Sequence, residues 1–168
     1  MRILGIDPGT GILGFGVIEA TNQPRGTTSR QNGKYILVDA GVIRTPVKED
    51  DAVRLLTIFE ELTDIIASSK PTHMAVEKLY FAQNVTTAMT VSQARGVAIV
   101  AGKLAGLQIA EYSPLQIKQA VTSHGRADKK QVQEMVRILL GLKEVPKPDD
   151  CADALACAIT HSMTAKVK

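Results

Sequence analysis

The chain changes periodicity partway along its length. Residues 2–7, Arg-Ile-Leu-Gly-Ile-Asp, form an apolar run halted by Pro8-Gly9-Thr10-Gly11, which predicts a strand ending in a tight turn. Ile3, Leu4 and Ile6 are apolar on both faces, as expected of a central, buried strand. A second strand is predicted over about Leu13–Glu19 and a third over Lys34–Thr45. Residues 21–33 between them are polar and rich in chain breakers, the composition of a long hairpin loop. Strand, loop, strand, loop, strand without helical period predicts an antiparallel meander.

Beyond residue 50 the apolar positions recur at helical spacing. Ala52, Leu55, Leu56, Phe59, Leu62 and Ile66 share one side of a helix, with Arg54, Glu60, Glu61 and Asp64 on the other. Pro71 precedes a fourth strand, His73–Glu77. A second helix is predicted over Thr86–Gly106, where Gly96, Ala98, Ala101, Gly102 and Ala105 permit close approach of another element. Leu107–Tyr112 reads as a fifth strand and Pro114–Ser123 as a third helix, opened by Ser113-Pro114. Asp128 with Gln131 resembles a capping box for a helix running to Leu140. Pro146 and Pro148 mark a loop before a last helix over roughly Asp149–Met163. This order predicts an α/β fold: a mixed five-stranded sheet, three antiparallel strands followed by αβαβ, with helices on both faces.

Composition narrows the class. At 168 residues, 45% hydrophobic and 22% charged, the chain is sized for one globular domain over 1–168, with a core of its own. Its two cysteines, Cys151 and Cys157, point to different sides of one helix and read as free thiols of a reducing compartment. No apolar run approaches the ~18 residues of a membrane span, and the N-terminus lacks the pattern of a secretion signal. A cytoplasmic protein without membrane contact is expected. Charge is uneven: residues 1–88 carry 9 basic and 10 acidic side chains, residues 89–168 carry 11 and 7. A basic second half in a chain of net charge +3 points to a polyanionic partner.

The candidate chemistry is carboxylate chemistry. Asp7 ends the first strand and Glu77 the fourth. In a sheet of this order those strands lie side by side and parallel, so both side chains emerge where open α/β sheets bind ligands. The last helix adds Asp150 and Asp153, three apart and on one face, although Asp149, four from Asp153, satisfies spacing equally well. Taken singly, Asp7 is a good turn residue, Glu77 an ordinary strand end, and Asp149 a good helix cap. Together they form a cluster. Two like charges ~4 Å apart repel by about 4 kcal/mol at an effective dielectric of 20. Such a group persists only if protons or cations neutralise it. All-oxygen ligands select hard ions, Mg²⁺ or Mn²⁺, and a pair of these is the usual device for hydrolysing phosphodiesters.

Other residues fit a nucleic-acid substrate. Tyr80 and Phe81, two of only six aromatics, follow Glu77 and precede Gln83-Asn84, so they are candidates for stacking on bases. Lys118, Arg126, Lys129, Lys130 and Arg137 gather in the third and fourth helices and their joining loop, where phosphates can be held. For any one of them, Arg137 above all, a solvated helix face is the simpler reading. His73, His124 and His161 are isolated and receive no catalytic role; His161 alone is a candidate to support the acidic cluster from behind.

Several segments together resemble the RuvC family of Holliday junction resolvases. They are Gly-Ile-Asp-Pro-Gly-Thr-Gly at 5–11, Gly-Phe-Gly-Val-Ile at 14–18, Val-Glu-Lys-Leu-Tyr-Phe-Ala-Gln-Asn at 76–84, Gln-Ala-Arg-Gly-Val at 93–97 and Asp-Cys-Ala-Asp-Ala-Leu-Ala-Cys-Ala-Ile-Thr-His at 150–161. The resemblance implies a ribonuclease H-like fold and a homodimer that nicks two strands of like polarity in four-way DNA junctions with Mg²⁺. It selects Asp150 over Asp149, so that Asp7, Glu77, Asp150 and Asp153 are the implied catalytic metal ligands. It places the aromatic entering the junction at Tyr80, with Phe81 beside it, and DNA-contacting lysines at Lys118 and Lys129. It also implies delivery of the junction by a RuvA–RuvB branch-migration complex. A twofold dimer suits a twofold substrate, and the small-residue helix around Gly96–Ala105 is the expected interface. Two departures stand out: the 21–33 loop is longer than the family usually has, and Tyr80 stands where Phe is common. The Asp7-Pro-Gly-Thr turn also resembles the phosphate loop of actin-like ATPases and sugar kinases, but those need a second domain that 168 residues cannot supply. The sequence also permits a DNA-binding module that uses the basic helices alone, or a general nuclease of the same fold.

Overall fold

A computed structural model of the chain describes residues 1–21, 35–79 and 85–165. The elements run β1 (Arg2–Asp7), β2 (Ile12–Ala20), β3 (Tyr35–Arg44), α1 (Asp51–Ser69), β4 (His73–Glu77), α2 (Val85–Leu104), β5 (Gln108–Tyr112), α3 (Pro114–Thr122), α4 (Lys129–Leu140) and α5 (Asp149–Thr164). The expected βββ-α-β-α-β-α-α-α order is the observed one, with ends moved by one or two residues. The second helix stops at Leu104 rather than Gly106, because Gly106 takes a left-handed φ of 78° that turns the chain into β5. The hairpin loop expected at 21–33 lies, apart from Thr21, outside the described residues.

The strands assemble in the order β3-β2-β1-β4-β5. The first three are antiparallel, while β4 runs parallel to both β1 and β5. β1 is therefore the central strand, as its two-faced apolarity requires. Leu4 and Ile6 of β1, Leu13, Phe15 and Val17 of β2 and Met74 and Val76 of β4 pack on one side with α1 and α2. Ile3, Ile18 and Ala75 pack on the other with α5, which α3 and α4 cover in turn.

α5 is buried along nearly its whole length, from Cys151 to His161. It seats on a strip of the sheet that has no side chains. Gly5 pairs with Gly16 and Gly14 with Asp7 across β1 and β2, and these glycines face the helix. A Cβ added at Gly5 would stand 2.0 Å from the carbonyl oxygen of Ala154, and one at Gly14 2.1 Å from that of Asp150. The helix backbone therefore rests directly on the strands, which brings its N-terminal carboxylates to the end of β1. Leu155 and Ile159, fully buried, anchor it at roughly 1.5–3 kcal/mol each.

The small residues of α2 serve two faces. Ala94, Ala98 and Ala101 are buried in the core, and a Cβ at Gly102 would collide with Met74 and Ile109. Gly96, by contrast, meets nothing within 4 Å, and Val100 and Leu104 on its side are exposed. Half of the stripe expected to form a dimer interface is thus used inside the chain.

Candidate active site

Each acidic residue is delivered by the end of an element. Asp7 closes β1, Glu77 closes β4 beside it, and Asp150 and Asp153 lie at the start of α5. α5 begins at Asp149 with Pro148 in the cap position and no side-chain cap bond, so Asp149 is not the cap its sequence context allowed. By contrast, the Asp128–Gln131 capping box of α4 forms as expected, and Ser113 makes another with Gln116 at α3.

The carboxylates share one electrostatic environment. Burial pushes the Asp7 carboxyl up to about 8, and the charges of Glu77, Asp153 and Asp150 push the same way. Glu77 is raised to about 7 by burial and by Asp153, against the pull of Lys118 and Lys129. Asp153 is raised by burial and drawn back by Lys129, which lies 3.1 Å from its Oδ2. The four residues picked out along the sequence are therefore electrostatic neighbours. Among the described residues, no three His, Cys, Asp or Glu side chains close around a single point in the way an ion requires. Like charges hold apart, and Lys129 bridges Asp153 and Asp149.

The donor set nevertheless fits a hard divalent cation. It is all oxygen, half-buried, and carries more negative charge than the neighbouring lysines offset. Beside it opens a cleft of about 260 Å³, lined by Glu77, Lys118, Lys129, Asp153 and the apolar Pro114, Ile117, Val132 and Ala156. Lys118 and Lys129 thus stand at the acidic site itself, where an anionic substrate can reach them. Arg126 and Lys130 are exposed on the same helix-loop-helix but are not part of this cleft. Arg137 is bound to Glu134 within its own helix, in keeping with a solvated surface role. Tyr80, Phe81 and Asn84 lie outside the described residues.

Cys157, packed under Asp7 and Glu77, has its thiol held well above the ordinary range by burial, and Cys151 is pushed up to about 11. Both stay protonated. His161 sits 2.8 Å from the hydroxyl of Tyr112, which also accepts from Thr164, and none of the carboxylate shifts involves it. The sequence reading missed the ion pair between Arg95 of α2 and Glu111 of β5 and the Lys129–Asp149 contact. The second had a signal: a lysine as the first residue of α4 opposes the helix dipole, so something outside that helix must favour it.

Comparison with known proteins fits this geometry. A family model described as crossover junction endodeoxyribonuclease RuvC matches residues 3–161. The chain belongs to the RuvC family. A RuvC from Heliobacterium modesticaldum is 54% identical over 166 residues, covering 98% of this chain and 96% of that one. The Thermus thermophilus RuvC structure superposes with a TM-score of 0.86 at 36% identity, covering 97% and 94% of the two chains. The T. thermophilus RuvC in complex with a Holliday junction substrate gives 0.84 at 36% identity, covering 97% and 93%. The ribonuclease H-like expectation and the mixed sheet are both borne out.

The raised carboxyls have a measurable consequence in the metal-free protein. Asp7 and Glu77 ionise at higher pH when folded than their ordinary values of 3.8 and 4.5, so between about pH 4 and 8 the folded state holds more protons than the unfolded one. Stability is then greatest below that window and falls as pH rises through it. In EDTA the melting temperature should be several degrees lower at about pH 8 than at about pH 5.5. Added Mg²⁺ or Mn²⁺ should raise it mainly at the higher pH. A flat profile in calorimetry would show that these carboxylates titrate normally.

Proposed function

We propose that this RuvC-family chain resolves four-way DNA junctions, nicking two strands of like polarity by metal-dependent phosphodiester hydrolysis in recombination and repair. The observation that carries the reading is that Asp7 feels the charges of Glu77, Asp153 and Asp150, beside a cleft that Glu77 and Asp153 line together with Lys118 and Lys129. In this reading the four carboxylates hold two cations, and Mg²⁺ is the natural ion for oxygen ligands, with Mn²⁺ as a substitute. Those ions supply the Lewis acidity that hydrolysis of a phosphodiester needs. Lys118 and Lys129 hold the phosphate entering the cleft, while Arg126 and Lys130 hold the backbone beyond it. Tyr80 and Phe81, three and four residues after Glu77, stack at the junction's centre, with Asn84 beside them.

A second copy of the chain completes the enzyme. The exposed side of α2 and the neighbouring surface of α1 form an apolar groove lined by Leu55, Leu56, Phe59, Gly96, Val97 and Val100. That groove supports a homodimer and shifts the interface from the whole Gly96–Ala105 stripe to its outward half. Kinship with RuvC supports delivery of junctions by a RuvA–RuvB complex. Two protonated, unbridged thiols support residence in a reducing cytoplasm, and no helix among the described residues is long and apolar enough to cross a membrane.

The test is a gel assay on a mobile synthetic four-way junction beside duplex of the same sequence, with Mg²⁺ or EDTA. Paired, symmetric nicks in the junction alone, lost in EDTA, are expected. Equal cutting of duplex would make the chain a general nuclease of this fold, and tight binding without cutting under any metal a DNA-structure-binding protein.

A further inference from the structure

The metal-site reading leaves one acidic residue of the α5 terminus unused. Asp149 is the first residue of α5, more than half exposed, and its Oδ2 lies 3.3 Å from the ammonium of Lys129. The same ammonium lies 3.1 Å from Oδ2 of Asp153, one helical turn on. Lys129 is thus shared between a carboxylate inside the cleft and one on its rim. Its own helix offers it nothing better. The nearest acid there, Asp128, has its Oδ1 committed to the backbone of Gln131, and the α4 N-terminus repels a cation.

A divalent cation on Asp153 and an ammonium on the same oxygen exclude each other. With Asp153 as its only partner, Lys129 would compete directly with the metal. With Asp149 within reach, the ammonium can leave Asp153 without losing an ionic partner.

We propose that Asp149 is a positioning residue: it takes over the Lys129 ammonium when a cation occupies Asp153, and parks it at the cleft rim where a DNA phosphate arrives. The inference rests on the metal-site reading above. Asp149 acts through Lys129 and needs no contact with the metal or the substrate.

The test is Mn²⁺ binding to the DNA-free protein, read as the loss of the free-ion signal in electron paramagnetic resonance. Salt at about 0.3 M screens the general effect of a surface charge. Four proteins form a cycle: wild type, Asp149→Asn, Lys129→Met and the double variant. Asp149→Asn should weaken Mn²⁺ binding about five-fold when Lys129 is present and less than about two-fold when it is Met. Lys129→Met alone should tighten binding, and Asp149→Glu should restore most of the wild-type affinity. Equal losses in both backgrounds would overturn the proposal, because Asp149 would then act only as a diffuse negative charge; so would no loss in either. Circular dichroism melts confirm that each variant is folded. Asp7→Asn separates the two readings, since it should reduce Mn²⁺ binding whatever stands at 149. If Mn²⁺ binds to it undiminished, the metal site itself is wrong and this inference falls with it.

Discussion

Asp7→Asn should cut a four-way junction about a thousand-fold or more slowly than the wild type while binding it at least as tightly. Asp7 stands at the end of the central strand, and its carboxyl is pushed up by burial and by Glu77, Asp153 and Asp150 together. A group so placed ionises fully only when a cation balances it. Asparagine keeps the shape but removes one negative charge, so the metal affinity of the whole cluster falls with it. A loss of about 4 kcal/mol of transition-state stabilisation corresponds to that thousand-fold. Removing this charge should lessen repulsion of the incoming phosphate, so junction binding should hold or tighten. The same change should raise the melting temperature of the metal-free protein near pH 8, where part of the wild-type Asp7 is ionised with no cation to balance it. Single-turnover cleavage, gel shift in EDTA and a melting curve separate the three effects. Cleavage at the wild-type rate would remove Asp7 from the metal ligands.

Gly5→Ala should destabilise the fold by about 3 kcal/mol, large for the addition of one methyl group. The new Cβ would stand 2.0 Å from the Ala154 oxygen, 2.8 Å from the Ala158 nitrogen and 3.0 Å from the Ala154 carbonyl carbon. All three are backbone atoms in the middle of a buried helix, so no side chain can rotate away. Relief requires α5 to lift from β1, which opens the core around Leu155 and Ile159. It also carries Asp150 and Asp153 away from Asp7. A misplacement of about 1 Å costs roughly a hundred-fold in rate, so whatever fraction folds should also cleave poorly. Urea unfolding checks the first effect, and cleavage per folded molecule checks the second. An unchanged midpoint would mean that the helix does not rest on the strand backbone.

These two residues mark how far local pattern reaches. The strand ending at Asp7 was legible because Ile3, Leu4 and Ile6 are apolar on both faces and Pro8-Gly9 must break the run. The capping box at Asp128 is likewise local, decided within four residues, whereas the left-handed turn at Gly106 was read as the end of the second helix. Gly5, however, reads in sequence only as a weak point in a strand. Nothing near it foretells a helix backbone pressed against it from the far end of the chain.

Lys129 shows the same limit in charge. Its neighbours predict a basic helix start facing solvent, yet it lies between Asp149 and Asp153 because α4 packs against α5. The small residues of α2 were only half legible, since their spacing permits close packing on either side. The core took Ala98, Ala101 and Gly102 and left Gly96 facing outward.

By itself the sequence determined the order and kind of the elements and the central place of β1, because periodicity, turns and caps act between near neighbours. It also singled out Asp7, Glu77 and Asp153 as candidates, while leaving Asp149 and Asp150 to be separated by resemblance to a family. Only the tertiary structure decided that α5 lies directly on the glycine strip, that the carboxylates perturb one another, and that Lys129 is shared between two acids. Those depend on steric and Coulombic contacts across a few ångströms between residues far apart in the chain, and such distances exist only once the sheet and its helices have packed.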